Sequence, residues 1–412
     1  MSDSVVLDTA DIVVVGAGIS GLSTAFELRK RGFDVVVAEQ RFPAYGASGR
    51  NSGSIWLQTR RTGLELDLAR AGRDKYKAYV EELSNTFEFR QHGGLFFYET
   101  DEQAAVMAEY AKDRRSAGLE VDVLSLKQAR ELTTVLPETA IGAVFCADDA
   151  QVDAHLFVGA LASACVRMGV RKYENTSVLS TIRRGNAITG VRTVRGEIHA
   201  PGLVWATGAW SVNLAAEGIE LPVITARQGQ MVTQSVPVAE NPLLHGPRGV
   251  AHCSALTSLD AYKAIDFPSP DRRPHTATQN GQGSDNALFD DSIAQNREGR
   301  VFMGSSLDSF GSLNPHIGIA STYAMISTAL DRYGENADLG VTGLWAGLAS
   351  STPDHLPIID RLDRAYVNTG HTWGVASGPI GGQITAELIA GERSTFAYDL
   401  RLSRPSLAVK NA

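Results

Sequence analysis

The apolar positions change period several times along the chain, and each change predicts an element. A continuous apolar run at Ile12–Val15 gives way to a helical pattern from about Ser20 to Arg31, with Gly32 as its stop. A second apolar run follows over Asp34–Glu39, so the chain opens with strand, helix, strand. Leu64 to Leu83 mixes charged and apolar residues at the spacing of an amphipathic helix. Asp153 can cap a further helix, whose face would be Phe157, Leu161, Ala164, Cys165 and Met168. From Ser177 to Trp210 the pattern becomes short strands with turn signals at Gly185-Asn186 and Arg195-Gly196. Asn314 as cap and Pro315 at the first position predict a helix with Ile319, Tyr323, Ile326, Leu330 and Tyr333 on one face. Between about 237 and 296 the sequence is polar and weakly periodic, which reads as a lid or an insertion.

Two glycine-rich loops stand at opposite ends of this pattern. In the first, Gly16, Gly18 and Gly21 separate the opening strand from its helix, and Glu39 closes the next strand. That context is a dinucleotide fingerprint: a tight turn, a close backbone approach to pyrophosphate, and a carboxylate for ribose hydroxyls. The second, "GHTWGVASGPIGG", begins at Gly370 and also opens a helix. After Glu39 the chain does not continue with further β-α-β units but breaks into "GASGRNSG", Gly46 to Gly53. The strand-to-glycine element "WATGAW" comes much later.

Composition narrows the class. The chain has 412 residues, 43% apolar and 20% charged, enough to bury a large core. Its net charge of −8, without a basic block, argues against nucleic acid as a partner. Cys146, Cys165 and Cys253 are few and scattered, as free thiols in a reducing compartment would be. The start lacks signal-peptide features, and the apolar windows are shorter than the ~20 residues that span a bilayer. The expectation is a soluble cytoplasmic protein without integral membrane association or a metal site, with homo-oligomerisation left open.

The fingerprint, "GASGRNSG", "HGGLFF", "AQVDAHLF", "WATGAW", "RQGQM", "NREGRVFMGSS", "GLASSTPDHLPIID" and the last glycine loop occur here in one order. Together they resemble the FAD-dependent oxidoreductases related to D-amino-acid oxidase, glycine oxidase and sarcosine oxidase. The resemblance implies an α/β fold (α+β overall), a Rossmann-like FAD-binding domain interleaved with a β-sheet substrate domain. The FAD domain would comprise residues 1–75, 146–220 and 334–412; the substrate domain would comprise 76–145 and 221–333.

It also implies a set of cofactor contacts. Gly16, Ala17, Gly18, Ile19, Ser20 and Gly21 would hold the pyrophosphate, with Glu39, Gln40 and Arg41 near the ribose. Ala47, Ser48, Gly49, Arg50, Asn51, Ser52 and Gly53 would run beside the ribityl chain and ring, Ser48, Arg50 and Asn51 donating to it. Val178 would offer backbone to adenine, while Thr207, Gly208, Trp210 and Gly347 lie along the cofactor. Gly374, Val375, Ala376, Ser377, Gly378 and Ile380 would face the isoalloxazine, where a helix amino terminus favours negative charge. Between Pro43 and Arg61 there is no histidine or cysteine for attachment, so FAD is expected to be non-covalent.

The implied reaction oxidises a C–N bond in a small amine or N-substituted amino acid, hydride passing to flavin N5 before the imine hydrolyses. Arg50, His371, Trp373 and Arg227, with Gln230, are the candidates over the ring; His355 reads as a structural hydrogen bond. Electrons would go to O2 or another acceptor. Of the eight lysines only Lys263 lies where it might activate oxygen. Oxidation of a 2-hydroxy acid or polyol, or service as the flavin subunit of a larger dehydrogenase, are the alternatives.

The pattern departs from the family in one place. Relatives that oxidise α-amino acids carry a carboxylate-binding arginine in "GLRPxTPD", where this chain has Ala349 and Ser350; a second basic position is Ala294. Either Arg60, Arg61, Arg227 or His371 replaces the clamp, or the substrate lacks an ordinary α-carboxylate. Arg248, His252, Lys263, Arg272, Arg273 and His275, in the polar stretch, could reach a second polar group of the substrate from a lid.

Overall fold

The strand at Ile12–Val15 is entirely buried, and so is its neighbour Val35–Ala38. Continuous apolar runs of this kind belong in the middle of a parallel sheet covered on both faces. In a computed structural model of the chain, which describes residues 5–185, 187–265, 267, 288–334, 337–363 and 365–408, that sheet has six strands. Its order is Ile358–Leu362, Ala365–Thr369, Gly202–Trp205, Ile12–Val15, Val35–Ala38, Arg171–Tyr173, and all neighbours are parallel except the first pair. Register pairs Val15 with both Ala38 and Trp205, so Gly16, Glu39, Ala206 and Gly370 leave the sheet at one edge. Ligands of such sheets bind outside the carboxyl ends of the strands.

A second sheet of eight strands is mostly antiparallel and runs Val341–Ser351, Ile224–Ser235, Arg300–Phe310, Leu288–Gln295, Leu243–His245, Gly94–Tyr98, Gly142–Cys146, Val121–Ser125. Four further strands (Val6–Thr9, Gly196–His199, Ala187–Thr193 and Val178–Arg184) make a small sheet beside the first. This is the interleaved α/β architecture expected, with two boundary corrections. A division at residue 76 would cut the single helix Leu64–Leu83. Val341–Ser351, expected in the FAD-binding part, pairs instead with Ile224–Ser235 in the eight-stranded sheet.

The opening helix, Ile19–Lys30, and the carboxy-terminal helix, Gly374–Ala390, lie against each other. A Cβ on Gly382 would come within 2.4 Å of Ser23 Cβ, so glycine permits the approach. Pro379 sits inside the later helix and has no N–H to give its fourth-preceding carbonyl, Val375. The Tyr76 hydroxyl donates to that carbonyl at 2.9 Å instead. Tyr76 comes from Leu64–Leu83, so this helix supports the glycine-rich loop from behind.

Two expectations fail here. The helix after Asn314 begins only at Ile319, with Gly318 as its cap. Asn314 closes a local turn instead, its Oδ1 accepting from His316 N at 3.1 Å. The inner face is Ser321, Ala324, Met325, Thr328 and Ala329, while Ile319 and Tyr323 are 91% and 69% exposed. Ala329 meets the sheet at Gly304, and a helix seated that closely presents small side chains. The described part of the polar stretch also holds regular structure that its composition does not suggest. Leu243–His245 and Leu288–Gln295 within it are strands of the large sheet.

Candidate functional site

One cavity of about 590 Å³ runs from the carboxyl edge of the six-stranded sheet to the inner face of the eight-stranded sheet. Both glycine-rich loops open onto it. The helix Ile19–Lys30 has no acidic residue in its first turn, and its leading amide donates to Ser48 Oγ at 3.0 Å. The helix Gly374–Ala390 likewise starts without an acid or a side-chain cap from Trp373. Two uncompensated helix amino termini facing one cavity suit a long, negatively charged cofactor. At the first of them, a Cβ on Gly18 would come within 2.9 Å of Ser48 Oγ, so the closest approach is kept clear. These features fit FAD.

Most expected cofactor residues lie on the wall: Gly16, Gly18, Ile19, Ser20, Glu39, Gln40, Ala47, Ser48, Arg50, Asn51, Ser52, Val178, Thr207, Gly208, Trp210, Gly347, Gly374, Val375 and Ala376. Others shape it from behind. A Cβ on Gly21 would collide with Gly16 O, on Gly49 with Ala44 O, on Gly53 with Val152 O, and on Gly378 with Ile19. Ala17 and Arg41 are also off the wall. Their amides donate to the two carboxylate oxygens of Glu39, each at 2.8 Å, fixing the turn to the end of the neighbouring strand. Ile380 reaches toward Gly72 and the Ser377 hydroxyl bonds to His371, and neither residue is itself on the wall. Asn51 does not offer its amide as expected: Nδ2 donates to Ala47 O and Ser48 O, and Oδ1 accepts from Gly53 N, so it builds the loop.

Of the proposed catalytic group, Arg227 is a correction. Its guanidinium makes a two-pronged pair with Asp308 (2.9 and 3.0 Å) and donates to His316 O, and it does not reach the wall. Side chains alternate along a strand, so Gln228 and Gln230 line the cavity while Arg227 points to the other face. Arg50 is on the wall but committed, donating to Ala346 O at 3.0 Å and lying 5.1 Å from the Tyr45 ring.

His371 lines the wall within a hydrogen-bonded chain that fixes its tautomer. Thr24 Oγ1 donates to Ser20 O, so it accepts from Asn368 Nδ2. Asn368 Oδ1 therefore faces His371 Nε2 at 2.7 Å and must receive its proton. Nδ1 is left as acceptor for the Ser377 hydroxyl at 2.8 Å, the shorter of that hydroxyl's two contacts, with Trp373 O at 3.1 Å. Burial pushes the imidazole pKa down to about 4, so the ring is neutral near pH 7. A neutral ring with both nitrogens engaged holds the loop rather than relaying protons. Trp373 lines the cavity with the Arg60 guanidinium over its ring, Cζ 3.8 Å from the centroid.

The far part of the wall was not foreseen from the sequence: Tyr45, Trp56, Leu244, His245, Asp290 and Ser305. Asp290 accepts from the Ser305 hydroxyl at 2.5 Å and from both N and Oγ of Ser292. Leu244, His245 and Asp290 come from the stretch read as a lid, which here contributes wall through its strands. Two of its expected cations are elsewhere. Arg248 approaches Asp331 at 3.7 Å and Lys263 approaches Asp260 at 3.3 Å, neither on the wall. The His252 side chain, Arg272, Arg273 and His275 lie outside what the structure describes. Ala294 and Ala349 are on the wall and bring no polar group. His355 is off the wall, and its backbone N donates to Thr352 O at 3.2 Å.

Known proteins share this arrangement. A D-amino acid dehydrogenase from Granulibacter bethesdensis is 23% identical over 455 aligned positions, covering 95% of this chain and 99% of that protein. The structure of glycine oxidase from Geobacillus kaustophilus superimposes with a TM-score of 0.79 at 22% identity, covering 96% of this chain and 99% of its own. L-proline dehydrogenase from P. horikoshii gives 0.76 at 22%, covering 96% and 97%. Residues 11–388, from the fingerprint strand to the helix behind the second glycine loop, match the family model for FAD dependent oxidoreductases, DAO, and the chain belongs to that family.

Proposed function

We propose that the protein oxidises a C–N bond of a small amine or N-substituted amino acid. The observation that carries this reading is the two-part cavity: helix amino termini with no acid in their first turns at one end, a polar roof from the eight-stranded sheet at the other. Bound FAD would supply a hydride acceptor between the two. The six-stranded sheet then carries the cofactor, held by the turn at Gly16–Gly21 and the loop at Ala47–Ser52. The eight-stranded sheet closes over the substrate with Gln228, Gln230 and the hydrogen-bonded Asp290. Trp56 and Trp373 add apolar wall, which excludes water from the reacting atoms. The three relatives named above are all described as acting on amino acids.

FAD is held without a covalent link on this reading, since His371, the nearest candidate, spends both ring nitrogens on Asn368 and Ser377. No lysine is among the lining residues described, so the wall would offer no ammonium to promote reaction with O2, and an electron acceptor other than O2 is expected. The test is anaerobic bleaching of the flavin by a panel of amines, N-substituted amino acids, plain amino acids and 2-hydroxy acids. Release of ammonia or amine with bleaching supports C–N oxidation. Bleaching by hydroxy acids alone would replace it with C–O oxidation, and no bleaching at all would favour a subunit role.

A further inference from the structure

We propose that Arg60 is the anion anchor of the substrate compartment, receiving the carboxylate of an amino-acid substrate in place of the arginine that Ala349 does not supply. The inference rests on the functional reading above and assigns the recognition of one substrate group to a named side chain.

Arg60 is 3% exposed and lines the cavity. Its Nε donates to Trp56 O at 3.1 Å, but Nη1 is buried and has no hydrogen-bond partner. The nearest carboxylate, Glu65 Oε1, is 3.9 Å away, too far to fill that donor. Glu65 is also shared with Arg61 at 3.5 Å and accepts from the Ser254 hydroxyl, so two arginines face one acid. A buried guanidinium with an open donor is costly unless something completes it. Thr59, next in the chain, brings a second buried donor without a partner, Oγ1, to the same cavity.

The geometry is held rather than incidental. The Trp373 indole fixes the plane of the guanidinium. Leu57 N and Gln58 N donate to Asp149 Oδ1, and Gln58 Nε2 donates to Asp149 Oδ2 at 2.7 Å. Tyr110 OH donates to Gln58 O, and Arg114 donates to Arg60 O and to Thr62 Oγ1. Two separate elements, the segment at Asp149 and the helix Asp101–Ser116, thus pin the loop on either side of Arg60. Of the other arginines considered, Arg227 is paired with Asp308, Arg61 lies off the wall at the surface, and Arg50 gives one N–H to Ala346 O with its guanidinium 5.1 Å from the Tyr45 ring. A planar fork with free donors is the group that binds a carboxylate in two-pronged fashion.

The test uses the FAD-loaded protein and non-oxidisable probes: acetate, propionate and benzoate against acetamide, propionamide and benzamide. Binding is read from the change in flavin absorption. In the wild type the carboxylates should perturb the spectrum at concentrations where the amides do not. Arg60→Gln should weaken carboxylate binding by about ten- to a hundredfold while leaving FAD content and amide binding as they were. Arg60→Lys, which keeps the charge without the fork, should fall between, and it carries the test if the glutamine variant does not fold. Carboxylates that bind either variant as they bind the wild type overturn the proposal, as does a wild type indifferent to carboxylates. Loss of FAD affinity without loss of carboxylate affinity also overturns it, placing Arg60 on the cofactor. A carboxylate site that depends on Arg60 in a protein no amine or amino acid bleaches would refute the functional reading alone.

Discussion

Replacing His371 should flatten the acid limb of the protein's stability. The imidazole pKa falls from its ordinary value of 6.5 to about 4 on folding, because burial disfavours the charged ring. The folded state therefore resists a proton that the unfolded chain accepts, and this contribution is complete above pH 6.5 and lost as pH falls toward 4. Linkage with those two values puts the loss between pH 7 and pH 5 at about 1.8 kcal/mol. With ~2.1 cal/mol/K of unfolding entropy per residue over 412 residues, that is about 2 °C of melting temperature. His371→Gln and His371→Phe both break the bonds to Asn368 and Ser377 and should melt lower at every pH. The uniform loss cancels in the comparison that matters, the drop between pH 7 and pH 5. In both variants that drop should be smaller than in the wild type by about 2 °C, measured by thermal unfolding of the FAD-loaded protein. Parallel melting curves for variant and wild type across this range would mean that His371 titrates normally and that the hydrogen-bonded chain from Thr24 is misassigned.

Asp291 should show the opposite sign: burial, then the neighbouring Asp290, push its pKa up to about 7, so its stabilising contribution is present in acid and lost as pH rises. Asp291→Asn should therefore gain in melting temperature relative to the wild type between about pH 5 and pH 8; a constant difference refutes this. Arg227→Met strands Asp308 as a buried charge and should cost about 3–5 kcal/mol, with KM for substrate unchanged in the folded fraction. A raised KM with normal stability would return Arg227 to the binding site. Acid precipitation should leave all the flavin in the supernatant, and yellow colour in the pellet would show a covalent link.

What the sequence determined by itself was local or carried by the ordered motifs. The opening β-α-β unit is legible because apolar runs and glycine positions are local signals, and its strand at Ile12–Val15 and the helix Leu64–Leu83 lie where their patterns place them. The cofactor wall was legible for the same reason, since backbone and small side chains of two glycine loops build it. The tertiary structure decided the substrate end. Whether a polar strand residue faces the cavity depends on register and pleat, which put Gln228 and Gln230 inside and Arg227 outside. Composition also concealed that Leu243–His245 and Leu288–Gln295 are strands, because they are stabilised by partners distant in the chain. Arg60 illustrates the limit most directly. Its place in the chain marks it only as one of several available cations, and its significance comes from Trp373, Glu65 and Arg114, which no local pattern brings together.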